Sequence, residues 1–162
     1  MLVPTRLVAR EVLARMGDPL LWSFVQHAQQ RDDAWAVALL DRITACCGTA
    51  RPDIWTLELR ASAAPALGDR LGDLDIGTLL HDPQDRARPL DVVPLLIRRG
   101  DRTLVAPDDD EVLHAGDRLL LVGMAYDRRA LDTTCSVPAA AEYVLTGERV
   151  GQSWIWRTLV DR

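Results

Sequence analysis

The densest group of potential metal-ligand side chains in the sequence is the acidic run at residues 108–111. A calcium loop places its ligands at alternate positions, with glycine at the sixth position and glutamate at the twelfth. Counted from Asp108, the fifth and sixth positions are Val112 and Leu113, so the run does not fit this pattern. We therefore predict a solvated hairpin tip, with a divalent-ion site assembled between two chains as the alternative.

The histidines do not form a catalytic or zinc-binding pattern. They are His27, His81 and His114. None has a nearby partner in the sequence that would complete a triad or a zinc site, so we predict surface or helix-end residues.

The cysteines form a poor framework for disulfide bonds. They are Cys46, Cys47 and Cys135, an odd number of which two are adjacent. This pattern favours buried thiols in a reducing compartment, which predicts a cytoplasmic location.

The glycine-rich motifs that cradle phosphates are absent from the sequence. All 19 basic residues are arginines, and a P-loop requires a lysine. Gly68, Gly72 and Gly77 lack the spacing of a dinucleotide-binding fingerprint. The sequence also contains no G-x-S-x-G or H-E-x-x-H motif. We therefore predict no catalytic residues and no cofactor bound to this chain.

The bulk composition argues against nucleic acid and direct membrane insertion as partners. The formal net charge is −5, whereas binding to phosphate backbones requires a basic surface. No apolar run approaches the roughly 18–20 residues of a membrane span, and no signal peptide is recognisable near the first residue.

Short apolar runs in the middle of the chain predict a sheet. Residues 92–97 and 119–122 are apolar, and the turn Arg99-Gly100-Asp101 separates the first run from another at residues 103–105. Upstream, residues 55–60 alternate between apolar and polar side chains, which predicts a half-buried strand. We expect these strands to be joined by hairpins.

Helical spacing dominates the N-terminal third of the chain. We predict helices at residues 5–16 and 19–30, and a third helix that begins at Asp32 or Asp33 and ends before Gly48. In the third helix we expect a shared apolar face containing Leu39 and Leu40. The excess apolar surface indicates either a docking surface or a cover for the sheet. The candidate interface residues are Trp22, Phe24, Trp35 and Leu39.

The remaining segments predict short elements. We expect a helix near residues 74–81, a polar loop at 82–89, and a short helix that begins at residues 127–131. Residues 136–141 indicate a linker, Tyr143 to Leu145 a last strand, and residues 154–160 a terminal helix. This order predicts an α+β fold with a mostly antiparallel sheet and one or two short helices beside it.

The central stretch resembles the TrkA-C family, the C-lobe of the RCK domains of potassium channels and potassium-uptake systems. The matching residues are 93–97 followed by Arg98-Arg99-Gly100, then Leu104-Val105-Ala106-Pro107, then residues 112–119 with Gly116-Asp117, and finally Val122-Gly123. Residues 64–71 resemble the family's entry to its helix, although Asp69-Arg70 departs from the usual small-polar or lysine residues. The resemblance covers roughly residues 54–124.

The N-terminal segment also resembles this family. Residues 3–9 are similar to the end of an RCK Rossmann lobe, and the next two helices resemble its dimerisation crossover. The resemblance implies a helical segment at 1–48, a TrkA-C-like domain at 49–125 and a C-terminal tail with a short helix at 126–162. It also implies that a pore, or a Rossmann lobe binding NAD or ATP, lies upstream in a larger protein.

The function implied by the resemblance is a ligand-sensing, dimerising module that gates potassium flux at the cytoplasmic face of the inner membrane. The implied partners are a second copy of the chain and a small-molecule or divalent-ion ligand. The candidate ligand-binding residues surround the first turn and are Arg98, Arg99, Asp101 and Arg102. Two alternatives stay open, an accessory lobe of a larger enzyme and a structural dimerisation module without a ligand.

Overall fold

A computed structural model of the chain describes residues 18–149. The helices are α1 (Pro19–Ala28), α2 (Asp33–Cys47), α3 (Ile76–Leu79), α4 (Ala125–Ser136) and α5 (Pro138–Thr146), with a 3-10 helix at Pro65–Arg70. The strands are β1 (Asp53–Glu58), β2 (Val92–Arg99), β3 (Arg102–Val105) and β4 (Arg118–Gly123). The predicted α+β class is confirmed. The helices predicted at residues 5–16 and 154–160 lie outside the described residues.

Helices α1 and α2 begin at aspartate caps, as the sequence predicts. The Asp18 carboxylate accepts a hydrogen bond from Leu20 N at 2.8 Å, and a proline follows it in the first turn. Asp32 accepts from Trp35 N at 2.8 Å. Helix α2 ends at Cys47 and is capped by Gly48, whose φ of 59° is costly for any residue with a Cβ atom. Caps are local signals, which is why both helices could be read from the sequence.

The four strands form one antiparallel sheet in the order β1-β4-β2-β3. The β2–β3 hairpin turns through Gly100, at φ 55°, as predicted. The expectation of a hairpin tip at residues 108–111 is wrong, because β2 lies between β3 and β4. The acidic run instead lies on a connection that crosses from one edge of the sheet to its centre.

Helices α1 and α2 pack on one side of the sheet, which we call the front face. Leu20 and Leu39 from these helices are buried with Leu96 of β2 and Leu120 of β4. Each fully buried leucine contributes about 1.5–3 kcal/mol relative to an exposed one, so this contact fixes the two helices on the sheet. The prediction of a shared apolar face in α2 is wrong for Leu40, which is 61% exposed.

The 3-10 helix, α3, α4 and α5 cover the other side of the sheet, which we call the back face. Leu67, Ile76, Leu131 and Ala141 from these elements are buried together with Leu57 of β1. The sheet is therefore the middle layer between two layers of helices. Within residues 18–149, no helix is long and apolar enough to cross a membrane.

The prediction for the segment after residue 136 is wrong. The expected linker and the expected strand at Tyr143 to Leu145 form a single helix, α5, which begins at Pro138 and ends before Gly147. Ala141 and Val144 are its buried residues, and their separation by three positions is a helical spacing. A short apolar run does not distinguish a strand from one turn of a buried helix.

The other predicted short elements are present with different bounds. The helix expected near 74–81 is α3, which is capped by the Asp75 side chain. The helix expected to begin at 127–131 is α4, which begins at Ala125 and continues to Ser136. The 3-10 helix at Pro65–Arg70 was not predicted as a helix.

Candidate ligand-binding surface

An ion pair between the partly buried Arg99 and the fully buried Asp117 connects the two glycine turns of the sheet. Arg99 Nε lies 2.9 Å from Asp117 Oδ1, and Arg99 Nη2 lies 2.8 Å from Asp117 Oδ2, a bidentate arrangement. The side chain of Asp117 is 0% exposed and also accepts a hydrogen bond from His114 N at 2.9 Å. The hydrogen bonds to Asp117 raise the pKa of the Arg99 guanidinium above its ordinary value. This pair fixes the Gly100 turn against the Gly116-Asp117 turn.

The remaining donors of Arg99 are bound to the crossing connection. Nη2 donates to Val112 O at 2.7 Å, and Nη1 donates to Glu111 Oε1 at 3.1 Å. Arg99, one of the predicted ligand-binding residues, thus makes its hydrogen bonds inside the chain. Its position explains how the two turns are held together.

Arg98 extends to the opposite side of the sheet from Arg99. Consecutive residues of a strand alternate between faces, and Arg98 Nη2 donates to Ser23 Oγ of α1 on the front face at 2.8 Å. Asp101 and Arg102, the other two predicted ligand residues, are exposed at the turn and at the start of β3. The structure therefore does not bring the four predicted residues into one site.

The front-face neighbour of Arg98 is Arg118, a residue that was not nominated from the sequence. The two are register partners across β2 and β4. Arg118 Nε lies 3.3 Å from Glu58 Oε1, and Glu58 Oε2 lies 2.6 Å from Arg60 Nη2. Pairing between positions 98 and 118 depends on the register shift between Pro94 and Leu96, for which the sequence contains no clear signal.

The acidic run is held by its backbone while most of its side chains are exposed. Asp109 O accepts from Gly77 N at 2.7 Å, and Glu111 O accepts from Ile76 N at 3.1 Å. In the described part of the chain, no group of three or more histidine, cysteine, aspartate or glutamate residues is arranged to hold a metal ion.

A second charged cluster joins the loop at residues 82–89 to helix α4. Arg88 lies 2.7 Å from Asp82 Oδ2 and 2.9 Å from Asp127 Oδ1, and both carboxylates are buried. Burial opposes ionisation of Asp82, but hydrogen bonds from Gln84 N and Arg88 outweigh it and lower its pKa. Both carboxylates are bound to the one arginine, so we interpret this cluster as a structural connection.

Three of the four predicted interface residues contact the front-face core. Leu39 is buried in that core, and Phe24 and Trp35 are partly buried against it. Trp22 is 38% exposed. The large exposed apolar residues of α2 are Val37 and Leu40, which were not nominated from the sequence as interface residues.

The three cysteines are free thiols, and Cys47 and Cys135 are buried. Burial, with a smaller contribution from the charge of Asp132, raises the pKa of Cys135 to about 12. Burial and the charge of Asp91 also raise the pKa of Cys46. Thiols with raised pKa values are poor nucleophiles at neutral pH, because the thiolate is the reactive form.

Two clefts of a size suitable for small ligands adjoin the front face. One, of about 520 Å³, lies at the edge strand β1 and is lined by Asp18, Thr56, Glu58 and Arg118 among others. The second, of about 490 Å³, lies between the end of α2 and the start of β2. Small-molecule sites commonly have volumes of about 300–1,000 Å³.

Comparison of the chain with models of known protein families and with curated proteins finds no match in either case.

Proposed function

We propose that the chain is a cytoplasmic regulatory domain of the TrkA-C type, which senses a ligand, dimerises and gates potassium transport. The observation that carries the proposal is the Arg99–Asp117 pair. It joins the Arg98-Arg99-Gly100 turn to the Gly116-Asp117 turn, and these are the two motifs on which the resemblance depends.

The proposed mechanism is a shift between two arrangements of the front-face helices. Helices α1 and α2 both contact β2, and the Ser23–Arg98 hydrogen bond ties α1 to the end of that strand. A ligand that binds one arrangement more tightly than the other increases the population of that arrangement. Coupling to a pore then requires only that the pore also distinguishes the two arrangements.

The proposed homodimer forms through the exposed apolar residues of α1 and α2. Trp22, Val37 and Leu40 present apolar surface, while the buried Leu39 holds α2 on the sheet. A few residues near the centre of an interface contribute most of its binding energy, and tryptophan is enriched among them.

Sedimentation velocity over a range of protein concentrations tests the dimer. We expect a concentration-dependent dimer that Leu40→Ser weakens. Val137→Ser, at an exposed apolar residue between α4 and α5, is the matched control and should leave association unchanged. A wild-type chain that stays monomeric at all concentrations contradicts the dimer.

Rubidium uptake tests the transport role, because rubidium ions report potassium flux. Deletion of the coding sequence from its host should change the uptake rate, and reintroduction of the gene should restore it. Reintroduction of a variant with Asp117→Ala should fail to restore regulation. Uptake that is unaffected by deletion under both low and high potassium contradicts the proposed function.

A further inference from the structure

Helix α2 has an exposed face that combines apolar and acidic side chains. Val37 and Leu40 are 56% and 61% exposed, and Asp33 and Asp41 are exposed as well. Leu40 is three positions from Val37 and each aspartate is four positions from it, so these residues share one side of the helix. Leu39, which is buried in the front-face core, lies on the other side. The outer side of α2 therefore has an apolar centre with a negative charge one turn before it and one turn after it.

The negative charges of this face are not balanced by the described residues. Within residues 18–149, Asp33 and Asp41 form no ion pair, and Arg42, which follows Asp41, lies 4.0 Å from Asp109. Residues 18–48 contain four aspartates and two arginines, a net charge of −2 with histidine neutral. A segment that covers this face should therefore be apolar along one side and positively charged beside it.

The segment that precedes α1 in the sequence has this chemistry. Residues 1–17, which lie outside the described residues, contain three arginines and one glutamate, a net side-chain charge of +2. The sequence predicts a helix at residues 5–16, in which the apolar residues Val8, Val12, Leu13 and Met16 are spaced along one side. This segment is thus complementary to the exposed face of α2 both in charge and in apolar pattern.

The length of the segment is sufficient to reach α2. One residue, Gly17, joins it to Asp18, the N-cap of α1. Helices α1 and α2 both contact β2 and belong to the same layer. Packed helices have axes about 8–10 Å apart, and a helix of twelve residues is about 18 Å long. A helix that ends beside α1 can therefore extend over α2.

We propose that residues 5–16 bind to the exposed face of α2 in the same chain and cover Val37 and Leu40. Burial of the two apolar surfaces against each other drives the contact. Attraction between the arginines of the segment and the two aspartates orients it. The same face of a second copy is a less favourable occupant, because it brings the aspartates of two chains together.

The contact regulates the proposed homodimer, because both use Val37 and Leu40. A chain whose own segment occupies α2 does not present these residues to a second copy, so release of the segment must precede pairing. A ligand that favours the released arrangement then increases the population of dimers. This step rests on the proposed function and deepens it by naming what limits dimerisation.

Photo-crosslinking in the whole chain tests the contact. A benzophenone amino acid in place of Leu40 keeps a large apolar side chain at an exposed position, so the fold should not change. After irradiation, mass spectrometry of the digested protein should find position 40 joined to a peptide from residues 5–16. The same probe in place of Val137, an exposed apolar residue between α4 and α5, is the control and should not be joined to residues 5–16.

Mixtures of isotopically light and heavy chains distinguish the possible occupants. A bond within one chain gives unmixed masses, which is the result we expect. Mixed masses at residues 5–16 show that the segment belongs to a second copy, and mixed masses at α2 show that two copies of the face pair directly. Either result overturns the proposal, as does a product containing residues 150–162 or the absence of a product.

Two variants with matched controls test the chemistry of the contact. Val12→Asp should lower the yield of the crosslinked product about tenfold or more, because it places a charge on the apolar stripe. Its control is Ala14→Asp, on the opposite side of the predicted helix, which should leave the yield unchanged. Asp41→Asn should lower the yield by about twofold to fivefold, the effect of one exposed charge pair. Its control is Asp110→Asn, at an exposed aspartate of the acidic run.

Circular dichroism of each variant accompanies these measurements. If Val12→Asp does not fold, Asp41→Asn keeps the test available, because Asp41 is exposed and makes no ion pair with residues 18–149. Yields in the folded variants that equal those of their controls overturn the contact.

Sedimentation velocity of Val12→Asp tests the regulation, since this variant should dimerise at severalfold lower concentration than the wild-type chain. An unchanged dimer in a variant that has lost the crosslink overturns the regulation. Failure of the contact and failure of the proposed function are distinguishable. A crosslink in a chain whose deletion leaves rubidium uptake unaffected overturns the function and retains the contact. Altered uptake and a stable dimer without the crosslink overturn the contact alone.

Discussion

Asp117 is a single carboxylate on which several parts of the chain converge. It accepts hydrogen bonds from Arg99 and from His114 N, and its own backbone carbonyl accepts from Leu59 N at 2.8 Å. Among the described residues, Arg99 is the cation that compensates its charge. Removing this carboxylate leaves Arg99 Nε and His114 N without their acceptor, although Arg99 keeps its contacts with Glu111 and Val112 O.

Asp117→Ala should lower the free energy of unfolding by about 1–3 kcal/mol, since it leaves Arg99 Nε and His114 N without their acceptor. Urea unfolding followed by circular dichroism measures this change. The control is Asp101→Ala, an exposed aspartate near the Gly100 turn, which should change stability by less than about 0.5 kcal/mol. Similar losses in both variants would contradict the special role of Asp117.

The cysteine thiols should react slowly in the native protein. Burial raises the pKa of Cys135 to about 12, so very little thiolate forms at pH 8. Iodoacetamide labelling mapped by mass spectrometry should modify Cys135 only after unfolding in urea, and the half-buried Cys46 should react first in the native state. Rapid native labelling of Cys135 would contradict its burial.

The acid stability of the protein should depend on the contact between Arg88 and Asp82. The pKa of Asp82 is lowered in the folded state, so its contribution to stability is present above the ordinary aspartate pKa and is lost as pH falls through the folded value. Unfolding free energies measured between about pH 6 and pH 3 should therefore decrease toward the acid end. In Asp82→Asn the decrease in unfolding free energy should be smaller. A pH profile identical to that of the wild-type protein would contradict the assignment to Asp82.

At the scale of elements, the C-terminus of α5 depends on one left-handed residue. Gly147 has φ 81°, and a Cβ atom at this position would lie 2.8 Å from Arg86 Nη1. Arg86 itself donates to Val144 O at 2.8 Å, so it satisfies a carbonyl in the last turn of the helix.

Gly147→Ala should destabilise the protein by about 1 kcal/mol or more, because alanine is strained at this backbone conformation and its Cβ displaces Arg86. Thermal unfolding measures the effect. Gly68→Ala is the matched control, since Gly68 has no positive φ and a Cβ atom there would meet no described atom within 4 Å. A midpoint for Gly147→Ala that equals that of Gly68→Ala would contradict the capping role.

An element can be predicted from the sequence when the interactions that define it join residues close together in the sequence. Helix α1 is predictable because Asp18 and Pro19 are adjacent start signals, and α2 because its caps lie at its two ends. Helix α5 is not predictable, because the apolar run from Tyr143 to Leu145 is too short to show whether its spacing is helical or extended. Its helical state depends on packing against α4, which is not visible in local sequence.

The candidate ligand-binding surface was predictable only in part for the same reason. Arg98 was nominated from its place at the turn, but its neighbour Arg118 is twenty positions away in the sequence. The two meet because the register shift after Pro94 changes which residues of β2 share a face with β4. Without that shift Arg98 would not be the register partner of Arg118, and a shift of one residue cannot be read from apolar runs alone.

At the scale of the whole molecule, the sheet between two helical layers gives the chain two different sides. The back face is closed by four elements that follow β1 in the sequence, whereas the front face is covered by the two helices that precede it. The front-face layer carries the register partners Arg98 and Arg118 and the exposed apolar residues of α2, and one charged cleft lies beside it. We therefore expect a partner or a ligand to bind at the front-face layer.

The strand order also determines when during synthesis the fold can form. Among the strands of residues 18–149, β4 is the last to be made, yet it is the strand that hydrogen-bonds to both β1 and β2. Until Arg118–Gly123 has left the ribosome, β1 has no neighbour in the sheet, and the nascent chain exposes the apolar residues of β2 on one side. Such intermediates expose strand edges that favour aggregation, so the demand on chaperones should be greatest just before β4 emerges.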